Sequence, residues 1–91
     1  MSKPREAWYP YIKNICRRYP ENKHPEENKA VSEALEQATP DEVAIIQNVY
    51  IKQLCTLREM SARLYISYPT ARRKAARFIE SVAKILNLPA D

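Results

Sequence analysis

Apolar residues recur along this chain at three- and four-residue spacings in five successive stretches, the pattern of amphipathic helices that each bury one side. In the first stretch Pro10 fits an opening helical turn, and Ile12, Ile15, Cys16 and Tyr19 then share one face. Trp8 is placed to fold onto that face from the preceding segment. Tyr19-Pro20 ends the helix, because a residue before proline avoids the α region, and the polar stretch 21–25 reads as a loop. A second helix is predicted over Glu26–Ala38, with Ala30, Val31, Ala34, Leu35 and Ala38 as a narrow apolar stripe opposite acidic residues.

Capping chemistry marks the remaining helix starts. In Thr39-Pro40-Asp41-Glu42, Thr39 caps, proline takes the first position, and the acids sit at the positive end of the helix dipole. That helix is expected to reach about Leu54, with Val43, Ile46, Val49, Tyr50 and Leu54 spaced for burial. Thr56 and Glu59 form a capping-box pattern that opens a short helix ending near Leu64. The last helix is capped by Ser67, carries Pro69 in its first turn, buries Ala71, Ala75, Phe78, Ile79, Val82, Ile85 and Leu86, and stops before Pro89. The fold class that follows is all-α: a small five-helix domain whose C-terminal unit, about Thr56 to Leu88, is a helix-turn-helix. The expected organisation is a helical segment over 1–38, serving core and oligomerisation, and a DNA-binding part over 39–91.

Composition agrees with helices. The 91 residues include seven Pro and no Gly, so the Gly-containing turns that tight β-hairpins favour are absent. The chain is long enough for one modest core. The net charge of +4 is distributed unevenly. Residues 1–18 and 56–91 are basic, whereas 19–55 are acidic through Glu21, Glu26, Glu27, Glu33, Glu36, Asp41 and Glu42. Such a layout suits a protein that meets a polyanion with its ends and keeps a solvated middle. Lys3, Pro4 and Arg5 are followed by no apolar run, so no signal peptide is expected, and the longest apolar stretch, Val43–Ile46, is too short to span a membrane.

The chemistry of an enzyme is not visible. Cys16 and Cys55 are far apart, with only His24 as a further soft ligand, so no zinc site is expected and both read as small thiols of a reducing cytoplasm. His24 reads as solvated in a polar loop. Asp41 and Glu42 fit helix capping better than paired catalytic carboxylates. A chain without glycine is poorly suited to a phosphate-cradling loop. No catalytic residue, metal ligand or cofactor is assigned.

The functional signal lies in the turn and the helix after it. Leu57, Met60 and Leu64 face inward; Ser61 and Ala71 are small where the two helices cross; Ile66 plugs the turn. The same phase puts Thr70, Arg73, Lys74, Arg77 and Ser81 on the opposite side, with Tyr68 and Arg72 flanking. The expected DNA-binding set is Ser67, Tyr68, Thr70, Arg72, Arg73, Lys74 and Arg77. Arg73 is the candidate for a bidentate guanine contact, because its planar fork matches the O6/N7 edge. Tyr68 and Thr70 are candidates for a thymine methyl or a phosphate, and Lys74 and Arg77 for backbone contacts. The bland alternative is a solvated cationic face of a helical bundle. One position breaks a local rule: Tyr65 occupies the turn site that commonly takes Gly in a left-handed conformation, where a Tyr would cost on the order of 1 kcal/mol, so either the turn is of another type or packing recovers the cost.

In the segments "TPDEVAIIQNVY", "TLREMSARLYIS" and "TARRKAARFIESVAKIL" the chain resembles the RinA/ArpU group of phage and prophage transcriptional regulators. Those proteins end in a helix-turn-helix similar to region four of bacterial sigma factors. The upstream segments "YPYIKNICRRYP" and "AVSEALEQATPDE" also resemble that group, so the likeness covers most of the chain. It implies a phage-encoded activator of late genes such as packaging or lysis functions, acting in the cytoplasm of a bacterial host. The chain is shorter than expected for the group, and Lys74 stands where many helix-turn-helix proteins place an apolar residue. A complete sigma factor is not expected, since a second, promoter-melting domain has no room.

Double-stranded DNA is therefore the expected partner. RNA polymerase is a candidate partner for the acidic middle. A homodimer contact is a candidate role for Trp8, Tyr9, Tyr11 and Tyr19, which carry more aromatic surface than a small core needs. Two other classes fit parts of the sequence: the DNA-recognition subunit of a phage terminase, and a protein-interaction module presenting the acidic helix Glu26–Ala38.

Overall fold

The computed structural model describes the backbone of residues 4–87 and the side chains of residues 9–87. Among these residues the chain is all-α, with five α-helices and no strand: α1 Pro4–Arg18, α2 Pro25–Gln37, α3 Pro40–Ile45, α4 Leu57–Arg63 and α5 Tyr68–Ile85. A π-helical segment, Ile46–Ile51, continues α3. The side-chain placement expected for Trp8 and the helix stop expected at Pro89 lie outside the described residues.

Helix α1 begins six residues before the expected start, so Pro10 is an interior residue rather than part of an opening turn. An interior proline leaves the carbonyl four residues back, here that of Glu6, without its amide donor. Pro10 is exposed, so water can serve that carbonyl. The expected inward face holds: Ile12, Ile15 and Cys16 are buried.

Two tyrosines tie α1 to the acidic α2. The Tyr11 hydroxyl donates to Glu27 Oε2 at 2.6 Å, and Tyr19 Oη lies 3.2 Å from Ser32 Oγ. The bond to Glu27, with some loss of hydration, pushes the Tyr11 phenol up to about 12. Partial burial alone would raise Glu27, but the hydrogen bonds from Tyr11 and Asn22 hold its carboxyl below the usual range. These aromatic side chains therefore have partners inside the chain.

At α3 the Thr39 hydroxyl accepts from the Glu42 amide at 3.3 Å and Glu42 Oε1 accepts from the Thr39 amide at 3.2 Å, a reciprocal box that satisfies two otherwise free donors. The expected continuous α-helix to Leu54 does not form. The helix widens after Ile45, and the Lys52 amide donates to the Gln47 carbonyl five residues back at 2.8 Å. The wider turn changes the phase, so the neighbours Ile45 and Ile46 are both fully buried. Gln53 then adopts a left-handed φ of 52°, and Leu54, expected in the core, is 67% exposed.

Helix α5 is the organising element. It packs against α1, α2, α3 and α4, and its Ala71, Ala75, Phe78, Ile79, Val82 and Ala83 join Ile12, Val31 and Ile45 in one core cluster. Residues 9–38 and 39–87 thus share a single core. The α4 start is the expected box: the Thr56 amide donates to Glu59 Oε1 at 2.9 Å and Thr56 Oγ1 accepts from the Glu59 amide at 3.1 Å. The backbone and side-chain bonds from Thr56 hold the Glu59 carboxyl below its ordinary range.

Helix α4 ends in a Schellman arrangement. The Ile66 amide reaches back to the Ser61 carbonyl at 3.0 Å and the Tyr65 amide to Ala62 at 3.2 Å, which puts Tyr65 at the position that favours glycine. Its φ is 58°, and the residue is 95% exposed. The turn is therefore of the left-handed type and Tyr65 is not packed, so neither of the two expected ways of avoiding the cost is taken. Tyr65→Gly is expected to raise stability by about 0.5–1 kcal/mol, the strain removed less the backbone entropy added. Urea denaturation measures this, and a less stable variant would show that Tyr65 contributes something its exposure hides.

Candidate nucleic-acid interface

The start of α5 is fixed by three side chains in series. Ser67 Oγ accepts from the Thr70 amide at 3.2 Å and donates to Thr70 Oγ1 at 2.8 Å. Thr70 Oγ1 also accepts from Arg73 Nη2 at 3.2 Å. The cap that starts the helix thereby holds the Arg73 guanidinium one turn on. Ser61 and Ala71 are both buried, as two helices in close approach require, and the Ser61 hydroxyl donates to the Arg58 carbonyl at 2.7 Å. With Ala71, Ala75, Phe78 and Val82 inward, Arg73 points away from the core and is exposed.

The seven residues expected on this surface do not form one uniform face. At 100° per residue, Thr70 and Lys74 lie to one side of Arg73, and Tyr68 and Arg72 to the other. On the first side stands the N-terminus of α3. Lys74 Nζ is 4.0 Å from Asp41 Oδ2, and Arg77 Nη1 is 3.9 Å from Glu42 Oε2. Glu42 is buried, and among the described residues its Oε2 accepts no hydrogen bond, so Arg77 is its charge partner. Both contacts sit at the outer limit of an ion pair and Arg77 is largely exposed, so each contributes little to stability. Their larger consequence is electrostatic: two of the four cations clustered at 72–77 face carboxylates of their own chain.

The other side of α5 is open and aromatic. The Arg58 guanidinium, from the first turn of α4, stacks over the Tyr68 ring at 4.2 Å, and Arg72 approaches the same ring at 5.9 Å. Beyond Tyr68 an open groove of about 580 Å³ runs between α1, the π-helical segment, α4 and α5, lined by Tyr9, Lys13, Tyr50, Tyr68 and Arg72 over an apolar floor. Lys13 Nζ lies 6.0 Å from the Tyr50 ring centre. Loss of hydration raises the Tyr50 phenol, so it remains a neutral hydroxyl donor.

Arg58, Lys13 and Tyr50 were absent from the expected set. Arg58 had a faint signal, a cation two residues after a helix cap. Lys13 and Tyr50 had none, because only tertiary packing brings α1 and the π-helical segment beside α5.

The remaining reactive groups stay apart from this surface. Cys16 is buried, which pushes its thiol up to about 12 and leaves it protonated and inert at neutral pH. Cys55 is half-buried with Sγ 3.9 Å from Met60 Sδ, and both cysteines are free. His24 is exposed at the start of α2. Among the described residues no three His, Cys, Asp or Glu side chains gather as metal ligands would, and no helix is long and apolar enough to cross a membrane. Comparison with protein families, curated proteins and solved structures finds no match.

Proposed function

We propose that this chain is a sequence-specific double-stranded DNA-binding protein in which α4, the turn and α5 act as a helix-turn-helix, with the N-terminal part of α5 in the major groove. The observation that carries the reading is the Ser67–Thr70–Arg73 series, which presents one guanidinium from the first turns of a capped helix. Recognition helices read base edges with these turns. The small buried residues at the α4–α5 contact and the basic character of residues 56–91 support it further.

The role proposed is transcriptional regulation in the cytoplasm of a bacterial host, as an activator of phage late genes. The support for that narrower statement is the resemblance to RinA/ArpU regulators. RNA polymerase is the proposed partner of the acidic α2–α3 region, and a homodimer would extend a footprint that a single helix-turn-helix leaves short.

Mobility-shift titration on phage promoter fragments and on unrelated duplexes tests the proposal. Binding to a cognate site is expected to exceed binding to unrelated DNA by about 10³-fold or more, and to weaken steeply with salt. Absence of any complex at low salt, where the phosphate attraction is greatest, would overturn the reading in favour of a protein-interaction module.

A further inference from the structure

The cations of the proposed recognition helix are divided by what faces them. On one side, Asp41 and Glu42 stand 4.0 Å and 3.9 Å from Lys74 and Arg77. A DNA phosphate approaching that side meets two carboxylates, one of them buried and fixed, so the local field offsets the two cations. On the other side, the groove carries Lys13 and Arg72 with three tyrosine rings, and Arg58 stacks at its edge. Among the described residues no carboxylate lines this groove.

We propose that the groove between α1, the π-helical segment and α5 is a docking track for the sugar-phosphate backbone of duplex DNA, with Lys13 and Arg72 neutralising phosphates and tyrosine hydroxyls donating to their oxygens. The inference rests on the DNA-binding reading and refines it. It moves the backbone contacts from Lys74 and Arg77 to Lys13, Arg58 and Arg72, and makes α1 part of the interface.

Three features fit a phosphate backbone. The track begins at Tyr68, one residue after the α5 cap, so it continues from the helix end proposed to enter the major groove. Its charge is supplied from separate elements, α1 and α5, at fixed places, as a strand passing over the surface requires. Tyr50, which keeps its proton, adds a neutral hydroxyl donor for a phosphate oxygen. A flat apolar partner would leave Lys13 and Arg72 covered and unpaired, which is costly.

The test is fluorescence anisotropy of the full chain with a labelled duplex over a range of salt, comparing wild type, Lys13→Gln, Arg72→Gln and Lys29→Gln. Lys29 is an exposed cation on α2 and controls for net charge alone. Lys13→Gln and Arg72→Gln are each expected to reduce the slope of log affinity against log salt by about 1, while Lys29→Gln leaves it unchanged. Acetylation footprinting of the unmodified protein supplies a readout independent of how the variants fold: DNA is expected to protect Lys13 and not Lys29. If wild type binds with the expected salt dependence but Lys13 is unprotected and Lys13→Gln matches Lys29→Gln, the track is wrong and the DNA-binding reading stands. If wild type does not bind duplex at low salt, both fall.

Discussion

Phe78→Ala is expected to unfold the protein or leave it at the margin of stability. Phe78 is the chain's one phenylalanine, is 1% exposed, and sits on the helix that every other α-helix contacts. Truncating a fully buried phenylalanine costs about 3–5 kcal/mol, the lost transfer free energy together with the cavity left behind. A domain of this size has on the order of 5–10 kcal/mol in total. Of the residues beside Phe78, Ala34 and Ala38 are too small to extend into the space it would leave. Urea denaturation followed by circular dichroism reads the effect. Leu54→Ala, at the 67% exposed position, is the matched control and is expected to stay within about 0.5 kcal/mol of wild type. A loss below 1 kcal/mol for Phe78→Ala would mean that α5 is not the centre of the core.

Where local chemistry decides structure, the sequence was legible. Thr39, Thr56 and Ser67 announced three helix starts because a cap is a contact within four residues, and all three make the expected bonds. The inward phase of α5 was readable for the same reason: eighteen residues give the apolar period room to declare itself. The position of Tyr65 in the turn was legible from the spacing of the two helices around it, whereas its left-handed backbone was left open and is decided by the structure.

What escaped depends on register and on distance along the chain. A π-helical segment differs from an α-helix by one residue in the turn, and the run Val43–Ile46 satisfies both periods until the neighbours choose. Leu54 was misplaced as a consequence. The pairing of Lys74 and Arg77 with Asp41 and Glu42 spans more than thirty residues, and helical phase alone sets those cations beside Arg73. The groove beside Tyr68 escaped for the same reason: Lys13 and Tyr50 reach α5 only after the chain has folded.

That division of the cations sharpens what loss of Arg73 should do. Arg73→Ala is expected to weaken binding to a cognate site by about 1–3 kcal/mol, roughly five- to 150-fold, and to relax specificity at one base pair. Arg73 is exposed, and its Nη2 bond to Thr70 is the only hydrogen bond shown for its side chain among the described residues, so the fold should be unaffected. Lys74→Ala is the informative comparison. Lys74 is half-buried and faces Asp41, so its positive field is largely answered within the chain and its removal should weaken binding less than loss of Arg73. Arg73→Lys separates charge from geometry: it keeps the cation but loses the fork, and should retain binding to unrelated duplex while losing discrimination. Affinities for cognate and single-base-substituted duplexes, measured at one salt concentration, give all three comparisons. Equal discrimination by wild type and Arg73→Ala would mean that another side chain reads the bases. The Ser67–Thr70 series would then serve only to cap α5.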